Sequence, residues 1–156
     1  MRSRGFTLVE LVITVAIVGL LATAAFPLVE VASRRAKEQD LRLALRDIRD
    51  ALDSYKAAYD EGRIERVVGE TGYPPDLHAL VDGVEDARDP GRSMIYFLRR
   101  VPRDPFFPDP GAPAEETWGL RSYASPPDAP RPGDDVFDVY SLSSRVGLNG
   151  VPYRDW

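Results

Sequence analysis

From Phe6 to Val29 the chain carries one charged side chain, Glu10, in an otherwise apolar run broken only by three threonines, Gly19 and Pro27. Two dozen helical residues span about 36 Å at 1.5 Å per residue, enough for a hydrocarbon core of about 30 Å. Pro27 lacks an N–H and its ring clashes with the carbonyl of Thr23, which predicts a kink, with the Thr23 hydroxyl as a local substitute partner. Charge then returns at once with Glu30, Arg34, Arg35, Lys37, Glu38 and Asp40, marking the exit of the helix from the apolar phase. Leu41, Leu45, Ile48, Leu52, Tyr55 and Tyr59 follow at spacings of 4, 3, 4, 3 and 4, one stripe of an amphipathic helix. Ala44, Ala51 and Ala58 flank the stripe and permit close approach. Gly62 supplies a stop. The pattern therefore predicts one helix from Phe6 to Tyr59, about 80 Å long, whose second half backs a globular head. The same seven-residue repeat also fits a coiled coil, but strand-like segments downstream need a helix to cover them.

Beyond Gly62 the elements shorten. Gly72-Tyr73-Pro74-Pro75-Asp76 is a turn into a short helix with Leu77, Leu80 and Val81 on its apolar face and Gly83 at its end. Met94 to Val101 is too brief for its pattern to distinguish helix from strand. Five prolines from Pro102 to Pro113 keep residues 102–116 out of regular structure. Trp118 to Ala124 and Val136 to Leu142 read as strands, rich in aromatic and branched residues and bounded by proline, glycine and aspartate. The loop between them is too long for a two-residue hairpin. The tail from Gly147 is turn-rich, and Trp156 is expected to tuck against the head.

The chain has 156 residues, a net charge of −5 and no cysteine. Setting aside residues 1–29, the remainder holds 18 basic and 24 acidic residues, room for one modest domain of acidic character. That balance argues against nucleic-acid binding, which usually shows a basic patch. The lack of cysteine removes disulfides, thiol nucleophiles and cysteine metal sites. With His78 the only histidine, multi-histidine zinc sites and Cys/His dyads are excluded, and no phosphate-cradling glycine motif is present. His78 reads as a solvated surface residue and Asp134-Asp135 as solvated loop charges. No enzyme is expected.

The candidate chemistry lies at the start. An isolated acid in an apolar helix costs about 2.5–3.5 kcal/mol at its centre and less near an end, so Glu10 calls for a partner. Arg2 and Arg4 would hold the start in the cytoplasm by the positive-inside bias. If the chain is cut after Gly5, those charges leave, and Phe6 begins the mature chain with an ammonium one helical turn before Glu10. The carboxylate of one copy can then meet the ammonium of its neighbour in a bundle of such helices. Two other readings compete. An ordinary secretory signal would use the small-x-small pattern Ala22-Thr23-Ala24, and a plain single-span anchor would need no partner for Glu10.

Gly5-Phe6-Thr7-Leu8-Val9-Glu10-Leu11, the apolar run and Pro27 resemble the class III signal of type IV pilins and type II secretion pseudopilins. The resemblance implies that a prepilin peptidase cleaves between Gly5 and Phe6 and methylates the Phe6 amine, which keeps its charge. It implies assembly through Phe6 and Glu10, with Pro27 a joint that lets the stalk bend between bilayer and fibre. Tyr73-Pro74, Pro102-Arg103-Asp104-Pro105 and the Val136 to Ser141 strand extend the likeness to the major (G-type) pseudopilin. The missing cysteine points the same way, since many type IV pilins close a C-terminal loop with a disulfide. A proline-rich insertion at 106–117 departs from the pattern. So does Ser143 to Gly150, where the resemblance implies a calcium loop but no aspartate stands. No cofactor is expected; Asn149 and Asp155 are the nearest donors should calcium bind, and Tyr153 and Trp156 are the apolar anchors that would otherwise pin the loop.

The expected fold is α+β and pilin-like, a long N-terminal helix whose amphipathic half packs on a small antiparallel sheet. The expected segments are a leader at 1–5, a membrane or fibre-core helix at 6–29, an amphipathic helix at 30–62 and a head at 63–156. The resemblance implies a homopolymeric subunit of the type II secretion pseudopilus that helps drive folded proteins across the outer membrane. Its partners would be further copies of itself, the prepilin peptidase, the inner-membrane assembly platform, minor pseudopilins and, before assembly, membrane lipid. It would sit in the inner membrane as a single-pass protein with a cytoplasmic N-terminus and periplasmic head. The alternatives are a type IV pilin or minor pilin, and an anchored or secreted binding domain that does not polymerise.

Overall fold

Helix α1 runs from Leu8 to Asp60 and remains helical at position 27, so Pro27 does not end it. The computed structural model describes residues 7–156, without the side chains of residues 24–27. The expected cleavage and methylation positions Gly5 and Phe6, and the ring of Pro27, lie outside the described residues. The Thr23 hydroxyl donates to the Leu20 carbonyl (2.7 Å). The chain divides into two compact units, Met1–Lys37 and Glu38–Trp156.

In the second unit α1 lays down the predicted stripe. Leu41, Leu45, Ile48, Leu52 and Tyr55 are buried, as are Ala44, Ala51 and Ala58, while Tyr59 is half-buried. The helix ends where Gly62 takes φ +71°. The Gly62 N–H donates to the Tyr59 carbonyl and the Arg63 N–H to the Ala58 carbonyl, each 2.9 Å, the paired closure that satisfies the last carbonyls of a helix. Helix α2, His78–Asp82, is short; the Asp76 carboxylate accepts the Ala79 N–H (2.9 Å), and Leu77 and Leu80 face the core. His78 is exposed as expected, with its Nε2 3.3 Å from the Glu115 carboxylate.

The architecture is α+β and pilin-like, but the strands form two separate antiparallel pairs. The first, β1 (Val84–Glu85) with β2 (Met94–Ile95), was not expected; two-residue strands carry no periodicity to read. The second pairs β3 (Trp118–Arg121) with β4 (Asp138–Ser141), in the register Trp118 to Ser141 and Arg121 to Asp138. Both are shorter than predicted because the amides beyond them are taken by other acceptors. The Ser122 N–H donates to the Arg131 carbonyl (2.9 Å) and the Val136 N–H to the Pro74 carbonyl (2.8 Å). Val139 and Ser141 point inward, which sets the buried face that the sequence pattern left open. Residues Glu115–Thr117 form a 3₁₀ turn within the proline-rich segment, so its last residues are more regular than predicted.

Gly119 lies opposite Tyr140, and a Cβ there would stand 2.3 Å from the Tyr140 ring. The ring uses the space that only glycine leaves. Gly119→Ala is expected to push the ring aside and cost about 1–3 kcal/mol, read as a lower midpoint in urea unfolding with an unchanged slope.

The β1–β2 hairpin is tied to the end of α1. The Arg63 guanidinium donates to the Asp86 carboxylate (2.9 and 2.7 Å), and the Ala87 N–H to the Arg63 carbonyl (2.7 Å). The Arg63 hydrogen bond, then that from the Arg88 N–H, holds the Asp86 carboxyl below the ordinary aspartate value of 3.8. Hydrogen bonds from Ser93 and Gly91 do the same for Asp89. Each carboxylate takes up a proton less readily in the folded chain than in the unfolded one. Its contribution is therefore present above about pH 4 and lost as pH falls through the lower folded value. Asp86→Asn is expected to lower the melting temperature at pH 6, and the gap to wild type should close below pH 3.8. A gap that persists unchanged at lower pH would assign the effect to something other than charge.

Candidate functional site

The N-terminal stretch is built by local rules. The Thr7 hydroxyl oxygen accepts the Glu10 N–H (3.2 Å) and the Thr7 carbonyl accepts the Leu11 N–H (3.1 Å). Thr7-Leu8-Val9-Glu10 is thus a capping-box sequence that starts the helix at Leu8. The Glu10 carboxylate, in the first turn, is also favoured by the helix dipole. Thr14 donates back to the Glu10 and Leu11 carbonyls (2.9 and 2.8 Å), so both threonine hydroxyls are engaged within the helix.

Its apolar side chains are not. Leu8, Val9, Leu11, Val12, Ile13, Val15, Ile17, Val18, Leu20 and Leu21 are each more than half exposed, and the first of them is 79 % exposed. Among the described residues, every position from 7 to 23 is exposed. Among the described residues α1 is the one helix long and apolar enough to cross a membrane. A continuous surface of this kind requires lipid or the apolar flanks of other chains. Glu10 is exposed on it, four residues after Phe6.

In the head, several carboxylates turn inward. Asp135, expected to be solvated, is buried; it accepts the Tyr123 N–H (2.9 Å) and the hydroxyl of Thr71. Asp134 is exposed. Asp104 is 1 % exposed and takes the Phe106 N–H (2.7 Å) and the Ser141 hydroxyl (2.5 Å). The proline-rich segment thereby enters the core, with Phe106 stacked on Tyr153 at 4.1 Å between ring centroids. Arg49 on α1 donates to Asp138 (2.8 Å), to the Trp156 backbone oxygen (2.9 Å) and to the Val139 carbonyl (3.2 Å). Trp156 packs edge-on to Tyr153 (5.0 Å) beneath the Arg42 guanidinium (4.3 Å), as the tail was expected to do. Glu38, read only as one of the charges at the exit from the apolar run, is buried. Its Oε1 accepts the Leu148 N–H (2.8 Å) and the Tyr153 hydroxyl (2.9 Å). A hint for these residues was present in Asp104 before Pro105. For Glu38 there was none, since its partners lie 110 and 115 positions away.

Of the donors named for calcium, one is engaged within its own loop and the other is exposed. The Asn149 side-chain oxygen accepts the Val151 N–H (3.1 Å), and Asp155 lies 3.8 Å from the Arg154 guanidinium. Among the described residues no group of three or more histidine or carboxylate side chains is placed to hold a metal ion.

Residues 1–26 match the family model described as the prokaryotic N-terminal methylation motif. The chain is also similar to the type IV major pilin protein PilA of Myxococcus xanthus (strain DK1622), with 36 % identity over 75 residues, 48 % of this chain. The match spans about a third of that protein's length, 33 %. No solved structure matches the chain.

Proposed function

We propose that this chain is the repeating subunit of a pilin-like fibre, and more narrowly the major subunit of a type II secretion pseudopilus. The observation that carries the proposal is the uncovered apolar helix from Leu8 onward with its lone acid at Glu10, inside a methylation motif. In this reading a prepilin peptidase cuts after Gly5 and methylates the Phe6 amine. Before assembly the helix lies in the inner membrane as a single pass, N-terminus cytoplasmic and head periplasmic. On the assembly platform, with minor pseudopilins, copies pack their apolar helices together and bury that surface against one another. The Glu10 carboxylate of each copy then meets the Phe6 ammonium of the next, an attraction of roughly 4 kcal/mol at 4 Å and an effective dielectric near 20. The role is structural, and the protein drives export as a polymer.

A mass measurement of the native N-terminus tests the first step. The expected mature chain begins at methylated Phe6; a chain beginning at Met1 would leave Glu10 without its counter-charge, and one beginning at Ala25 after a secretory cleavage would have lost Glu10 altogether. The similarity to a type IV major pilin favours a second reading, a pilus extending outside the cell. Loss of twitching or adhesion on deletion would support that reading. Loss of exoprotein release, with fibres confined to the periplasm, would support the pseudopilus.

A further inference from the structure

We propose that the Glu38 carboxylate organises the C-terminal loop in place of a bound cation, and that this loop folds without calcium. A cation and a carboxylate leave opposite signatures on a loop. Calcium gathers 6–8 oxygens, usually several of them carboxylates, and so turns carbonyls inward. A carboxylate gathers N–H and O–H donors. The loop 143–151 contains no aspartate or glutamate, and its Arg145 adds positive charge. The group it turns toward α1 is a donor, the Leu148 N–H, aimed at Glu38 Oε1 (2.8 Å). The same oxygen takes the hydroxyl of Tyr153 (2.9 Å), whose side chain is fully buried against Phe106.

The rest of the loop closes on itself with protein acceptors. Gly147 N–H donates to the Val151 carbonyl (2.8 Å), Gly150 N–H to the Gly147 carbonyl (3.0 Å) and Tyr153 N–H to the Arg145 carbonyl (3.1 Å). The Trp156 indole N–H also reaches the Val151 carbonyl (3.3 Å). Three carbonyls and the Asn149 oxygen that could have faced a cation are thereby occupied by N–H groups. Glu38 is thus a positioning residue for the loop, tying it to α1 across 110 residues of sequence. The proposal concerns the folded head and holds whether or not the chain polymerises.

The test uses the purified full-length chain in detergent. The wild-type melting temperature should be no more than about 1 °C higher in excess calcium chloride than in EGTA, because a ligand that does not bind the folded state cannot raise it. Trypsin cleavage after Arg145 reports loop order directly. Glu38→Ala should raise its rate at least tenfold, and Tyr153→Phe, which keeps the ring stack and removes only the hydroxyl, should raise it by a smaller factor. If Glu38→Ala does not fold, Tyr153→Phe alone carries this arm. A saturable rise in melting temperature with calcium overturns the proposal. So does a Tyr153→Phe cleavage rate equal to wild type.

Discussion

Glu10→Gln is expected to leave the chain processed, folded and in the membrane while removing it from fibres. The substitution keeps size and polarity and deletes only the charge. Removing one partner of a buried ion pair typically costs about 3–5 kcal/mol, a factor of roughly one hundred to several thousand at every subunit contact at about 1.4 kcal/mol per tenfold. A polymer repeats that loss along its length, so incorporation should fall below detection and not merely decline. The helix start is protected from this change. Thr7 caps through the backbone N–H of Glu10, which glutamine also carries. The lost dipole interaction is worth only about 0.3–1 kcal/mol. Membrane fractionation, the mass of the N-terminus and the amount of chain in sheared or periplasmic fibres give the three readouts. Wild-type fibres from Glu10→Gln subunits would end the charge-pairing account, and would favour the simpler role of Glu10 as a first-turn helix acid.

Asp104→Ala is expected to be the most damaging single change within the head. Asp104 is buried and receives the Phe106 N–H and the Ser141 hydroxyl. Its own N–H donates to the hydroxyl of Thr117 (3.1 Å), itself fully buried. Next to it the Trp118 indole N–H reaches the Pro102 carbonyl (2.8 Å). Alanine would strand two buried donors at about 1–3 kcal/mol each and free the segment that carries Phe106 to its stack on Tyr153. A loss of roughly 2–6 kcal/mol is a large part of the 5–15 kcal/mol of a typical domain. For a domain of this size it corresponds to a melting temperature lower by roughly 8–24 °C. Asp104→Asn retains an acceptor and should fall between, while Asp128→Ala, at an exposed loop position, should stay within about 0.5 kcal/mol of wild type. Near-UV circular dichroism during thermal unfolding would follow both tryptophans. A melting curve for Asp104→Ala that overlays wild type would show that the carboxylate is dispensable.

The long helix was legible because its signals are local and periodic. One acid in an apolar run, a stripe at spacings of 4 and 3, and Gly62 each act through neighbours within a turn or two. The structure carries the same buried set from Leu41 to Ala58. The strand pair at Trp118 and Val139 was legible in kind but not in length, because the amides at Ser122 and Val136 are claimed by Arg131 and Pro74. The β1–β2 pair had no signal at all, since two residues cannot display a period.

The carboxylates show the boundary most plainly. Asp135 and Glu38 look like any surface charges in their own windows. Their burial follows from donors 64 and 110 positions away, on Thr71 and Leu148. Hydrophobic periodicity is written along the chain because an element buries its own face, so the membrane-length helix, the amphipathic stripe and the α+β class could be read from residues alone. Which polar groups turn inward depends on where distant backbone amides and hydroxyls arrive once the chain has closed. The anchoring roles of Glu38, Asp104 and Asp135 were therefore decided only by the tertiary structure.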